Sequence, residues 1–327
     1  MDSVRIARNP APQRRLLAWI GLGLTTLACA ADPAHVIVDD AWSGQTGCHF
    51  SGRLTEAHPA PSQRHGGPKT LYRNTRLLLT RGREGAVTWR VGAWEWNTRT
   101  DDSGYWSLAT NLPLPLAPGW HEITAEPRAS GPAGLLVLDP ANRLGIISDI
   151  DDTIVVSGVL EKRTLLKNSL VVPPERREAV ADVARLYQRL LQANPAPEAS
   201  PVFYVSASPK QLTDNLRGFL RHNGFPRGVL RLKEISEDGD SFLGDQQAYK
   251  TRALETVLRA CPGVRFNLFG DDGEQDPEIY DALRKKFPAQ IAGVWIRRVS
   301  PDPDRARFPG QDDLAALLAA PAGDRRE

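Results

Sequence analysis

The sequence predicts an α/β protein, a parallel sheet sandwiched by helices, preceded by a small all-β sandwich. Three observations predict it. The chain has 327 residues, enough for two domains at roughly 150 residues each. From Leu144 onward, apolar runs of strand length alternate with helical stripes. Before that, short strand-like runs lie between turn residues, and six of the eight tryptophans (Trp42, Trp89, Trp94, Trp96, Trp106, Trp120) fall among them. With 41% hydrophobic and 24% charged residues, the composition excludes disordered, fibrous and multi-span membrane classes.

The first thirty residues read as an address. Arg14 and Arg15 lead into an apolar run, Leu16–Ala28, and Ala28-Cys29-Ala30 offers small residues for cleavage. This is the pattern of an export signal, too short to span a bilayer as a helix. Thr26-Leu27-Ala28-Cys29 adds a lipoprotein reading with acylation at Cys29, so the mature chain is expected to be periplasmic or lipid-anchored. Arg14-Arg15 also admits a twin-arginine signal, which the flanking residues fit poorly. The leader carries four arginines against Asp2, so with a total charge of +2 the remainder is near neutral. Nucleic acid is excluded as a partner.

Residues 33–138 are read as the β-sandwich. Val36–Val38, Arg76–Thr80 and Val87–Val91 are strands, and the segments at Thr100–Trp106 and Pro118–Ile123 are turns feeding strands. The tryptophans pack this domain, the proline-rich segment 57–69 is a loop, and the histidines lack metal-site spacing. Cys48 and Cys261 are read as isolated buried thiols.

Residues 142–300 carry the repeated strand–helix units. Strands are expected at Gly145–Ile147, Val202–Val205, Val229–Leu232, Val264–Phe269 and Ile291–Ile296. Helices are expected from Glu175 behind Pro173-Pro174, over 210–223 with Gly224 as its stop, over Ala248–Ala260 and over Glu278–Phe287. The tail 301–327 is read as peripheral. Ligands in such folds bind at the carboxyl ends of the strands.

Those ends are acidic. The first strand runs into Ser148-Asp149-Ile150-Asp151-Asp152-Thr153, and the fourth into Gly270-Asp271-Asp272-Gly273-Glu274-Gln275-Asp276. Crowded carboxylates need a cation or raised pKa values, and a hard divalent ion such as Mg²⁺ suits them. An EF-hand fails, because Ile154 and Leu160 stand where glycine and glutamate are required. Ser206 after the second strand and Lys250 opening a helix add a hydroxyl and an ammonium. Together these are parts for phosphoryl transfer.

This order resembles the haloacid-dehalogenase-like phosphohydrolase superfamily. The strings Ile147–Ile154, Tyr204-Val205-Ser206-Ala207-Ser208-Pro209 and Gly270–Tyr280 resemble the catalytic domain of actin-patch-type phosphatidate phosphatases, relatives of the lipins. Bacterial members carry a β-rich N-terminal region, so the resemblance covers nearly the whole mature chain. It implies a haloacid-dehalogenase-like fold and a Mg²⁺-dependent phosphatidate phosphatase releasing diacylglycerol and phosphate. By the same resemblance Asp149 is the nucleophile forming an aspartyl-phosphate, and Asp151 the general acid and then base. Thr153 buttresses the loop, Ser206 donates to a phosphoryl oxygen, and Lys250 neutralises charge. The metal falls to Asp149, Asp151 through its backbone carbonyl, and Asp271, with Asp272 or Asp276 completing the set. The family commonly has serine at the position of Asp272 and lysine or histidine at that of Gln275.

Two alternatives stay open: an exported phosphatase for another phosphomonoester, and a lipid- or glycan-binding envelope protein. The sequence offers no histidine-phosphatase pattern and no serine-lipase elbow. A basic stretch, Glu161-Lys162-Arg163 with Lys167 and Arg176-Arg177, is either a headgroup attractor or a solvated face, and association with a membrane surface is expected through Cys29. Oligomeric state is not legible.

Overall fold

The computed structural model describes residues 34–44, 47–56, 80–111, 116–127, 131–156, 172–234 and 246–320. The expectations for the leader and Cys29, for the 57–69 loop, for Arg76–Leu79 and for Glu161–Lys167 lie outside the described residues.

The first half forms strands β1 (His35–Val38), β2 (Ala41–Gly44), β3 (Gly47–Thr55), β4 (Ala86–Val91), β5 (Trp94–Arg99), β6 (Tyr105–Thr110), β7 (Gly119–Glu126) and β8 (Ala133–Val137). Alternation is clear in β4, where Val87, Trp89 and Val91 are buried and the residues between them are not. β3 is the pivot: β6 pairs along one edge, β1 and β2 along the other, and the sheet continues through β8, β7 and β4 to β5. Phe50 on β3 and Trp89 on β4, distant in this order, touch with ring centres 4.2 Å apart. Trp89 also stacks on Trp96 at 4.4 Å and on Trp106 at 5.9 Å. The sheet is therefore curled on itself, a single eight-stranded sheet instead of the expected two-sheet sandwich. One long strand that bonds neighbours along both edges leaves no seam between two sheets.

The second half is a six-stranded parallel sheet in the order β11-β10-β9-β12-β13-β14. Its strands are β9 (Leu144–Ser148), β10 (Val202–Pro209), β11 (Val229–Lys233), β12 (Arg265–Asp271), β13 (Ile291–Arg297) and β14 (Asp312–Asp313). Helices α1 (Val183–Leu191), α2 (Thr213–His222), α3 (Gln246–Ala260), α4 (Asp276–Lys286) and α5 (Leu314–Ala319) cover it. Successive β9 residues face opposite ways. Ile146 packs with α1, α2 and α5, and Ile147 with α3 and α4. The chain leaves β9 toward β10 on one side and returns through β12 on the other, which places the switch point at the end of β9.

Two expectations are corrected. Pro173-Pro174 opens only the short turn Pro174–Arg176, and α1 begins at Val183. The reason is long-range: Val180 N–H donates to Ile154 O, and Val156 N–H to Glu178 O, so this backbone serves a loop pairing. The tail is also not peripheral. β14 extends the sheet beside β13, and α5 buries Leu314 and Leu317.

Asp32–Glu327 form one compact unit. Trp42 and Leu136, on the outer face of the curled sheet, belong to the same core as Ile147, Phe203 and Phe266. Asp39 and Asp40, between β1 and β2, are buried and ion-paired across the boundary: Lys210 Nζ lies 2.7 Å from Asp39 Oδ2, and Arg217 Nη2 3.1 Å from Asp40 Oδ2. Burial pushes the Asp39 carboxyl up, but Lys210, Ser51 and Arg217 outweigh it and hold it below its ordinary 3.8. Removing one member of a buried pair strands the other, at a cost of roughly 3–5 kcal/mol. We therefore expect Asp39→Ala to lose about that much stability in urea unfolding. A depressed carboxyl pKa contributes above the unfolded-state value and is lost below it, so the gap to wild type is full above about pH 5 and closes in acid.

Candidate active site

The carboxyl end of β9 carries Asp149, whose backbone N–H still donates to Phe269 O on β12 at 2.9 Å. Its side chain is 2% exposed. Oδ1 lies 2.7 Å from Lys250 Nζ, and Oδ2 has no hydrogen-bond partner among the described residues. The chain then turns back on itself: Ile154 and Val155 N–H donate to Ile150 O, and Asp152 takes a left-handed φ of 56°. Arg297 holds the Asp152 carbonyl at 2.5 Å. Thr153, buried in this turn, places Oγ1 3.4 Å from Asp271 Oδ2.

Asp151 lies apart from that pocket of charge. Its Oδ2 accepts hydrogen bonds from Ser206 Oγ at 3.0 Å and Ser208 Oγ at 3.1 Å. Ser208 N–H donates back to Ser206 Oγ, tying the end of β10 into a hydroxyl pair. Arg177 is buried close enough to Asp151 to feel its charge.

β12 delivers Asp271, whose Oδ1 accepts from Gly273 and Glu274 N–H at 2.8 and 3.2 Å. Asp276 opens α4 fully buried, with Oδ1 2.9 Å from Lys250 Nζ and Oδ2 3.4 Å from the Asp271 backbone nitrogen. Gly270 permits this approach, because a Cβ there would meet Asp276 at 2.7 Å. Lys250 reaches in from α3 and also contacts Glu274 Oε2 at 3.2 Å.

Oxygens of Asp149, Asp271 and Asp276 lie within 4.8 Å of one another. Burial raises the pKa of all three; Lys250 opposes the rise, and neighbouring carboxylates add to it. Burial would discharge Lys250, but Asp149, Asp276 and Glu274 hold its pKa well above the ordinary value. Four carboxylates thus face one ammonium in a buried space. The unmatched charge, the all-oxygen donor set and the orphaned Asp149 Oδ2 fit a hard divalent cation.

The sequence-predicted residues are therefore divided. Asp149, Asp271, Asp276, Lys250 and Thr153 come together. Asp272 points elsewhere: Oδ1 accepts from Val299 and Ser300 N–H at 2.6 and 2.8 Å, and Oδ2 lies 3.6 Å from Arg298. Consecutive residues leaving a strand face opposite sides, so Asp271 and Asp272 do not share the cluster. The Asp151 carboxylate is also outside it, held by serines, and Ser206 spans to Asp151. Sequence reasoning missed Ser208 and Glu274. Ser208 had a signal, standing two residues after Ser206 on one face of a strand; Glu274 had none beyond its place in the acidic loop.

Residues 144–298 match the family model described as the catalytic domain of phosphatidate phosphatase APP1. Phosphatidate phosphatase APP1 of Saccharomyces cerevisiae is 34% identical over 158 residues, covering 47% of this chain and 26% of that protein. An uncharacterized protein of Schizosaccharomyces pombe is 30% identical over 167 residues, covering 51% of this chain and 27% of its own. The chain thus spans about a quarter of the length of these curated relatives. A solved carbohydrate acetylesterase from Xanthomonas citri is 11% identical with a TM-score of 0.26, covering 82% of this chain and 67% of that one, too slight a likeness to bear on the fold. Residues 144–298, which hold every carboxylate of the cluster, are the segment that matches the phosphatidate phosphatase APP1 catalytic-domain family.

Proposed function

We propose that this protein is a Mg²⁺-dependent phosphatidate phosphatase with a haloacid-dehalogenase-like catalytic domain, exported by residues 1–30 and periplasmic or membrane-anchored at Cys29. The observation that carries the reading is the convergence of Asp149, Asp271 and Asp276 beside Lys250 at the carboxyl ends of β9 and β12, within the family-matched segment. No helix among the described residues is long and apolar enough to cross a membrane, so the anchor in this reading is the acyl chain.

Asp149, Asp271 and Asp276 would hold the ion, joined by the Asp151 carbonyl as the resemblance implies. Bound Mg²⁺ supplies positive charge for the phosphoryl oxygens. An Asp149 carboxylate oxygen attacks phosphorus, the bond to the glyceryl oxygen breaks, and an aspartyl-phosphate forms. Asp151, as general acid, gives a proton to the departing alkoxide. It then takes a proton from the water that splits the acyl phosphate, which restores Asp149 and frees phosphate. Ser206 and Ser208 keep Asp151 aimed before substrate arrives. Lys250 restrains Asp149 and offers its remaining charge to the phosphoryl group.

Asp149→Asn should fold with an unchanged melting profile while phosphate release falls at least about a thousandfold; turnover near wild type removes the nucleophile assignment. Asp276→Asn should weaken activation by Mg²⁺ by more than about tenfold, whereas Asp272→Asn should leave it within roughly threefold. Equal losses would place Asp272 in the metal set. A phosphate-release panel, with Mg²⁺ or EDTA, should favour phosphatidate in micelles over glycerol phosphate and nucleotides and stop in EDTA. Preference for soluble esters would identify another phosphomonoesterase, and release indifferent to EDTA would end the metal mechanism.

A further inference from the structure

A cavity of about 620 Å³ lies between the edge strand β11, helix α3 and the curled sheet. That is the size of a small-ligand pocket. Tyr249, Arg252, Ala253 and Thr256 share one face of α3 and line it. Lys250, on another face of the same helix, reaches the carboxylates instead.

The cavity wall holds an unusual cation. The Arg231 guanidinium lies 5.0 Å from the ring centre of Trp42, and its Nε is shut off from solvent with no hydrogen-bond partner. Among the described residues nothing ion-pairs with Arg231 or with the exposed Arg252 side chain. Lys233 and Glu234 also line the cavity. Lys210 is matched by Asp39 and Glu234, each at 2.7 Å, and Asp101 Oδ1 accepts the Tyr105 N–H at 2.7 Å. His49 stacks on Trp42, with ring centres 5.4 Å apart and planes 27° apart. Burial, and then Arg231, lower its pKa, so it adds no positive charge there. The face of an indole compensates the Arg231 charge only in part.

We propose that this cavity binds a small organic anion, its phosphate, phosphonate or carboxylate group held by Arg231 and Arg252 and its flat or apolar body resting on Tyr249. Arginine's planar fork suits such oxyanions. The source is either a soluble metabolite or the headgroup of an anionic lipid. This site is separate from the carboxylate cluster and does not depend on the phosphatase reading.

The test is titration calorimetry with tryptophan fluorescence on the full chain in EDTA, using phenylphosphonate, whose carbon–phosphorus bond a phosphatase does not cleave. Saturable binding that quenches tryptophan emission is expected. Arg231→Met should weaken it at least about tenfold, while p-nitrophenyl phosphate hydrolysis with Mg²⁺ stays within about twofold. Arg252→Met, at an exposed position, gives the same reading should Arg231→Met fail to fold. Arg231-dependent binding to phosphatidylcholine vesicles containing phosphatidylglycerol, stronger than to phenylphosphonate, would support the cavity and identify a lipid source. No binding of either probe, or binding that both substitutions leave unchanged, overturns the proposal.

Discussion

Lys250 is the constraint on which the catalytic half is arranged. One ammonium, nearly sealed from water, touches the carboxylates of Asp149, Asp276 and Glu274, and Asp271 lies against the same group. Folding these acids together without it would leave like charges in a low-dielectric space. Each element is placed by that need. α3 must begin where its first turn can reach the sheet, β9 and β12 must be adjacent, and Gly270 must lack a side chain so that α4 can start against the strand. An arrangement that leaves negative charge unmatched when empty is suited to charge arriving with an ion.

The Asp151 carboxylate is held by a different part of the molecule. Asp151 depends on two hydroxyls at the end of β10, and the same segment runs directly into Lys210 and α2. Lys210 and Arg217 are anchored on Asp39 and Asp40 of the curled sheet. The N-terminal half therefore reaches the reaction centre through a chain of contacts: acid pair, buried cations, strand end, serine hydroxyls. The β-rich half thereby bears on how the end of β10 is held.

Much of this was legible in the sequence because it is local. Apolar runs locate the parallel strands, Gly224 with φ 70° ends α2 as read, and acids at the ends of β9 and β12 announce the cluster. What was illegible is set at long range. Whether Asp272 or Asp276 joins Asp271 depends on how the backbone turns after β12, and the Val299–Ser300 amides that take Asp272 are remote in sequence. The start of α1 depends on Val155 pairing with Ala179. Leu314 and Leu317 form too short a stripe to announce a helix. The curl of the first sheet rests on Phe50 meeting Trp89, a contact that no local pattern specifies.

The core that Trp42 and Leu136 share with Ile147, Phe203 and Phe266 separates two kinds of boundary. The family match begins at Leu144, whereas packing does not. A polypeptide trimmed to that segment would present a bare greasy patch where an indole now sits, inviting self-association. In this molecule the segment that matches the family is smaller than the unit that packs as one.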